Sequence, residues 1–222
     1  MRIVVTAGPT REYLDPVRFL SNPSTGKMGF AIAAEAAKRG HEVTLVAGPV
    51  ALKTPKGVKR VDVTSAREML QESLRSLRGL RGLRSCGGTV FISTAAVADW
   101  RPAKCAAKKL KKGEMSGVLK LVRNPDILKT VDNYRKRSKA IGLRLVGFAA
   151  ETDHVLAEAA RKCREKGLSF IVANDVMQKG CGFGTDTNRV TFVFPDGTPR
   201  RFPLMTKRRV AMEILKEFER ER

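Results

Sequence analysis

Residues 6–29 read TAGPTREYLDPVRFLSNPSTGKMG, and this stretch decides how the rest of the chain is arranged. It follows the short apolar run Ile3-Val4-Val5 and leads into the alanine-rich residues 30–39. An apolar run, a connection and a helix-forming segment make the first step of an α/β unit. Such connections are mostly short, and one of about twenty residues is more often functional than idle. At its far end, Ser24-Thr25-Gly26-Lys27 stands where a helix begins. Free backbone N–H groups, hydroxyls and a lysine at that position suit an anion.

Two familiar phosphate loops do not fit. The GxxxxGK[ST] pattern needs glycine five residues before Gly26 and a hydroxyl after the lysine, whereas Ser21 and Met28 are there. A GxGxxG fingerprint starting at Gly8 fails because Thr10 takes the second glycine's place. Gly26 and Gly29 therefore read equally as tight helix–sheet packing or as phosphate contacts. Asp15-Pro16 and Asn22-Pro23 favour turns.

The 222 residues make a single domain of residues 1–222, and a hydrophobic content of 42% supports a sizeable core. No apolar run approaches the roughly 20 residues of a membrane helix, and the N-terminus reads as a strand rather than a secretion signal, so a cytoplasmic location is expected. The net charge is +21, from 43 Lys+Arg against 22 Asp+Glu. Such an excess attracts nucleic acid, membrane surfaces or phosphorylated substrates. The basic residues are scattered, however, and one Trp with two Tyr offers little stacking surface for bases. No specific nucleic-acid or membrane partner is expected. The four cysteines, Cys86, Cys105, Cys163 and Cys181, lack CxxC spacing, and only His41 and His154 accompany them, which disfavours a structural zinc site. Nucleophilic catalysis by the protein is disfavoured for the same want of a Cys–His or Ser–His pair.

Along the chain, residues 28–39 read as a helix stopped by Gly40, and residues 42–46 and 58–63 as strands. Thr64 or Ser65 caps the next helix, with Glu68 at capping-box spacing from Ser65. LRGLRGLR at 77–84 reads as a surface excursion. Residues 89–93 form a buried strand ending in Thr94-Ala95-Ala96-Val97-Ala98-Asp99-Trp100. In open parallel sheets ligands bind beyond the carboxyl ends of strands, and strand one and this strand both deliver their loops there. Asp99 suits a sugar or base, or a turn. Residues 101–117 are lysine-rich with poor strand or helix character, and read as a mobile basic flap beside that edge. Residues 118–122 form a strand, Asn124 caps a helix with Pro125 at its first position, and residues 145–149 form a strand. Glu151-Thr152-Asp153 starts a helix carrying Lys162 and Lys166 on one face, and residues 169–173 form a strand. A hairpin over 189–204, turning at Pro195-Asp196-Gly197, and an amphipathic helix over 207–218 close the chain. The expected architecture is α/β, a Rossmann-like three-layer fold with a mostly parallel central sheet and a C-terminal antiparallel hairpin appendix.

Taken together, the segments resemble phosphopantothenoylcysteine synthetase, the ligase of coenzyme A biosynthesis, in its prokaryotic form. TREYLDPVRFLSNPSTGKMG is similar to the family's first signature and ISTAAVADWRP to its second. Lys109-Leu110-Lys111-Lys112 matches its K-x-K-K arm. Asn124-Pro125-Asp126-Ile127, Gly147-Phe148-Ala149-Ala150-Glu151-Thr152 and Ala173-Asn174-Asp175-Val176 follow in the family's order. The resemblance spans nearly the whole chain and covers the ligase, not the flavin-dependent decarboxylase often fused ahead of it. The LRGLRGLR stretch and the basic segment before Gly142 depart from the usual spacing, and Tyr13 and Pro23 are variants within the loop.

The resemblance implies that CTP activates 4′-phosphopantothenate as an acyl-cytidylate, that cysteine then displaces CMP, and that Mg²⁺ accompanies the triphosphate. It implies that Asn22 contacts the acyl intermediate, that Arg18 supports that loop, and that Lys109 is the flap lysine reaching the phosphates. Ser93, Thr94, Ala95, Asp99, Asn124, Pro125, Asp126, Ile127, Phe148, Lys162 and Lys166 are implied as nucleotide-binding residues, with no protein-built metal site. A homodimer with sites near the subunit interface is implied as well. Two other readings compete: a nicotinamide-dependent reductase, weakened by the missing glycine fingerprint and separable by thermal shift with CTP, ATP and NAD(P)H, and a nucleic-acid-binding module motivated only by charge, whose binding would fade steeply with salt.

Overall fold

The computed structural model describes residues 1–78, 88–111, 117–140, 142–151, 155–175, 180–182 and 184–219. In chain order the elements are β1 (Arg2–Ala7), β2 (Arg11–Tyr13), β3 (Phe19–Ser21), α1 (Lys27–Lys38), β4 (Glu42–Ala47), β5 (Val58–Asp62), α2 (Ala66–Ser76), β6 (Thr89–Ser93), β7 (Trp100–Pro102), β8 (Leu121–Arg123) and α3 (Ile127–Arg137). They continue with β9 (Leu143–Glu151), α4 (Val155–Glu165), β10 (Phe170–Asp175), β11 (Thr187–Asn188), β12 (Val190–Val193), β13 (Pro199–Arg201), β14 (Met205–Thr206) and α5 (Lys207–Glu219).

The main sheet runs β13-β12-β10-β9-β6-β1-β4-β5. From β10 to β5 every pairing is parallel. β12 and β13 add two antiparallel strands at one edge, so the C-terminal hairpin extends the sheet rather than standing apart from it. The parallel part has the doubly wound order, with its reversal between β1 and β6.

Period-two alternation explains the layers. Ile3, Val5 and Ala7 of β1 face one side, where α1 and α5 supply Phe30, Ile32, Val210 and Ile214. Val4 faces the other, with Met69 of α2, Val131 of α3 and Ala159 of α4. Strands buried on both faces read as unbroken apolar runs, which is why β1, β4 and β6 were legible. The C-terminal elements are fixed by aromatic packing: Phe170 of β10 stacks on Phe192 of β12 and Phe218 of α5, with centroids 5.0 and 5.6 Å apart. The expected helix caps divide. Ser65 caps α2, its Oγ accepting from the Glu68 amide at 3.2 Å while the Glu68 carboxylate accepts from the Thr64 amide at 2.9 Å.

Several local expectations are corrected. α3 is capped by Asp126, which accepts from the Lys129 amide at 3.0 Å, and not by Asn124. Within the long connection after β1, β2 and β3 pair as a small hairpin. The flap's first residues form β7, paired antiparallel with β8, and β8 begins at Leu121 rather than at residue 118. β9 runs on to Glu151, so that residue ends a strand instead of starting a helix. Residues 79–84 of the LRGLRGLR stretch, Cys86, Lys112, Thr152, Asp153, His154 and Val176 lie outside the described residues.

Two glycines set the geometry around the loop. A Cβ on Gly29 would lie 2.5 Å from both the Ala7 Cβ and the Thr94 Oγ1, so only glycine lets α1 sit this close to the ends of β1 and β6. A Cβ on Gly48 would lie 1.7 Å from the Pro9 carbonyl oxygen, which brings the turn after β4 against the turn after β1. Gly29 is thus explained by packing.

Candidate active site

The loops after β1 and β6 are laced together over the sheet's carboxyl edge. The Thr94 hydroxyl donates to the Thr6 carbonyl at 2.7 Å, the Ala98 amide to the Thr10 hydroxyl at 3.0 Å, and the Ser21 hydroxyl to the Thr10 carbonyl at 2.7 Å. Asn22 completes the lacing: its Nδ2 donates to the carbonyls of Ala96 and Val97 at 3.2 and 3.1 Å. Two carbonyl acceptors fix which end of the amide is nitrogen. The Asn22 amide protons are therefore committed to the backbone, and the side chain presents its oxygen, an acceptor, to the acyl intermediate it is expected to contact.

A cleft of about 780 Å³ opens beside this junction. It brings together Asn22, Ser93, Ala95, Asp99, Asn124, Pro125, Asp126, Ile127, Phe148, Lys162 and Lys166, which come from separate segments of the chain. Asn124 reaches it as a staple: its Nδ2 donates to the Ala98 carbonyl at 2.8 Å, its amide to the Asp99 carbonyl at 2.8 Å, and its Oδ1 accepts from Arg101 at 3.1 Å. Lys166 of the α4 end pairs with Asp126 at 2.9 Å. Burial alone would raise the Asp126 carboxyl, but the Lys129 amide and Lys166 outweigh it and hold the group below the usual carboxylate value. Asp126 is ionised at neutral pH and meets Lys166 as an ion pair at the cleft, which Lys162 and Arg123 also line.

Three predicted residues stand elsewhere. Thr94 lines a smaller adjoining pocket, and its hydroxyl is spent on β1. Lys109 is exposed and does not line the cleft. Arg18 lies on the β2–β3 hairpin, its Nε 3.0 Å from the Oδ2 of Asp15, and it donates to the Leu110 carbonyl at 2.9 Å. The Asp15 carboxylate is wholly buried and also accepts from the amides of Val17, Arg18 and Leu110. The Arg18 guanidinium above all, with those amides, holds its carboxyl far below the ordinary range, against the opposing effect of burial.

Residues not foreseen also belong here. Trp100 and Arg123 line the cleft from β7 and β8, with the guanidinium 5.3 Å from the ring centroid. The strand pairing that brings them in carried no sequence signal, because each strand is only three residues long. The smaller pocket, about 130 Å³, is walled by the first turn of α1 together with Asn174, Asn188 and Lys207. Burial pushes the Lys207 ammonium below its usual value and Lys27 adds to the effect. Asn174 falls in a quoted motif, whereas Lys207 reads as an ordinary helix start and Asn188 has no sequence signal.

The domain family described as DNA/pantothenate metabolism flavoprotein C-terminal domain matches residues 1–221. The chain is 45% identical over 216 residues to the coenzyme A biosynthesis bifunctional protein CoaBC of Bacillus subtilis (strain 168), covering 97% of this chain and 50% of that protein. The Escherichia coli (strain K12) protein of the same name is 45% identical over 220 residues, covering 98% of this chain and 51% of that one. The chain thus spans about half the length of the curated relatives it matches. The crystal structure of the C-terminal domain of a CoaBC superposes with a TM-score of 0.78 at 42% identity, over 99% of this chain and 94% of that one. With the motifs converging on one sheet edge and the match running through the whole fold, the chain belongs to the DNA/pantothenate metabolism flavoprotein C-terminal domain family.

Proposed function

We propose that the chain is a phosphopantothenate–cysteine ligase acting in the cytoplasm: it activates 4′-phosphopantothenate with CTP and couples it to cysteine. The observation that carries this reading is the cleft gathering Asn22 with Ser93, residues 95–99 and 124–127, Phe148, Lys162 and Lys166. Its size suits a nucleotide plus an acyl chain.

In the first step a carboxylate oxygen of 4′-phosphopantothenate attacks the α-phosphorus of CTP. An acyl–phosphate bond forms, the bond to the β-phosphate breaks, and pyrophosphate leaves with the electron pair. In the second, the cysteine nitrogen attacks the acyl carbon, the acyl–oxygen bond breaks, CMP leaves and one proton passes to solvent. Neither step needs a protein nucleophile; both need positioning and charge compensation. Ser93, Ala95, Asp99 and the 124–127 turn hold the nucleotide in this reading, with Phe148 against it, Lys162 and Lys166 offsetting phosphate charge, and Thr94 bracing the loop on β1 through its bond to Thr6. Asn22 accepts a hydrogen from the incoming amine through Oδ1. Lys109 approaches the phosphates when the arm beyond β7, residues 103–111, swings from the position where Arg18 and Asp15 hold its neighbour Leu110.

The magnesium ion of this reading enters with the triphosphate. Among the described residues no group of three or more His, Cys, Asp or Glu side chains could hold a metal, and the cleft's carboxylates, Asp99 and Asp126, come singly from different loops. That donor set fits an ion that keeps phosphate and water ligands, and it supplies neutralisation of phosphate charge when bound. Among the described residues no helix is long and apolar enough to cross a membrane. A homodimer fits the exposed apolar side chains of the two small hairpins beside the cleft, Val17, Phe19, Trp100 and Leu121.

The test is amide formation. CTP, 4′-phosphopantothenate, cysteine and Mg²⁺ are expected to yield pyrophosphate, CMP and the amide; an absence of pyrophosphate with CTP or ATP would overturn the assignment.

A further inference from the structure

Glu12 lies on β2 and is only 4% exposed. Asp15, Glu35 and Asp132 are also buried, and each is paired with an arginine. Glu12 has no such pair among the described residues. A buried carboxylate without a counter-charge is costly and calls for another compensation. That compensation is the start of α2. Ser65 takes the Glu68 amide and Glu68 takes the Thr64 amide, so the local capping is reciprocal. The buried Ala66 amide donates instead to Glu12 Oε1, at 2.9 Å and across 54 positions of sequence. The unpaired amides of a helix N-terminus favour a carboxylate there. The backbone repeats the tie one residue earlier, where the Arg11 amide donates to the Thr64 carbonyl at 2.8 Å.

These two bonds hold the base of the hairpin that leads to Asn22. β2 and β3 pair with Arg11 opposite Ser21 and Glu12 opposite Leu20, and Asn22 follows directly. Each strand is only three residues long. A ribbon that small has little stability of its own and takes its position from what it is docked on. Arg18 and Asp15 tie its tip to the arm, whereas Glu12 ties its base to α2. We propose that Glu12 is a positioning residue for amide formation: by seating β2 on the N-terminus of α2, it sets where Asn22 stands over the cleft. Glu12 does not itself line the cleft, so it acts through Asn22 rather than on the substrates. This rests on the ligase reading and adds to it a residue outside the site.

The experiment measures single-turnover amide formation, started by adding cysteine to enzyme preincubated with 4′-phosphopantothenate, CTP and Mg²⁺. Wild type, Glu12→Ala, Glu12→Gln, Asn22→Ala and the double variant Glu12→Ala with Asn22→Ala are compared. Glu12→Ala is expected to slow the step about tenfold with the KM for CTP unchanged. Glu12→Gln, which keeps an acceptor for the Ala66 amide, is expected to recover most of that loss. In the Asn22→Ala background, Glu12→Ala is expected to cost less than about twofold more, because the two residues act as one unit. Losses that multiply independently, or a Glu12→Gln variant as slow as Glu12→Ala, overturn the proposal. If Glu12→Ala does not fold, Glu12→Asp, one methylene short of the amide, takes its place in the same cycle under the same criteria. If the wild type releases no pyrophosphate, the ligase reading fails separately. The side-chain amide resonances of Asn22 then decide the positioning: a shift in the folded Glu12 variant supports it, and unchanged resonances reject it.

Discussion

Arg18 donates to the carbonyl oxygen of Leu110 at 2.9 Å, although the two residues are 92 positions apart in the chain. The bond ties the β2–β3 hairpin to the residue next to Lys109. Through it, the hairpin governs where the basic arm rests.

Removing that tie is expected to slow the activation step and also to lower stability, because the buried Asp15 carboxylate loses its guanidinium partner. Arg18→Ala should lower the pyrophosphate burst rate about tenfold, and Lys109→Gln should lower it further. A burst unchanged in both variants, read by quench-flow, would return the arm to an ordinary surface segment.

Asp15 gives the same junction a pH dependence. Its folded carboxyl lies below the ordinary value of 3.8, so its contribution to stability is fully present at neutral pH and is lost as acid carries the pH below 3.8 toward the depressed value. The stability gap between wild type and Asp15→Asn is expected to be constant above about pH 5 and to narrow in stronger acid. Urea titrations across that interval measure it; a gap that widens on acidification contradicts the assignment.

Asn22→Asp should be costly because it breaks the lacing of the two loops. A carboxylate cannot donate to the Ala96 and Val97 carbonyls and would repel both. Amide formation is expected to slow by on the order of 100-fold, with acyl-nucleotide accumulating if activation survives. Rapid-quench separation of the acylated nucleotide distinguishes the two steps.

Lys166→Met leaves Asp126 without its cationic partner at the cleft. The CTP KM should rise about tenfold, with a smaller change in the KM for cysteine. Equal changes in both would mean the lysine supports the fold generally rather than the nucleotide.

Gly48→Ala tests the packing of the two turns. Its added methyl would meet backbone, the Pro9 carbonyl oxygen, which no rotamer change can relieve. A loss of about 3 kcal/mol is expected, visible as a lowered denaturation midpoint with an unchanged slope. Near-native stability would mean the turns separate freely.

The central parallel strands were legible because they are buried on both faces and read as apolar runs, as Ile3-Val4-Val5 and Thr89–Ser93 do, whereas the edge strand β5, VKRVD, is largely open to solvent. Asp99 was placed at the sheet edge because it follows the run at Thr89–Ser93, whereas Asn22 and the Asn124–Ile127 turn were marked by the family resemblance alone. What escaped were features made by pairing across distance. β7 and β8 are three residues each and meet across a lysine-rich segment with no periodicity, so Trp100 and Arg123 could not be assigned to the cleft. Asn124 was mistaken for a helix cap because its residue type suits one; its side chain instead bonds Ala98, and Asp126 two residues later takes the cap.

The pocket at the start of α1 draws its walls from residues 24–29 and from residues 174–207. A chain still emerging from the ribosome can lay down β1 and α1 early, yet it has no such pocket until Lys207 has cleared the exit tunnel. A chain halted before that point carries the first turn of α1 but lacks the wall that Asn174, Asn188 and Lys207 supply.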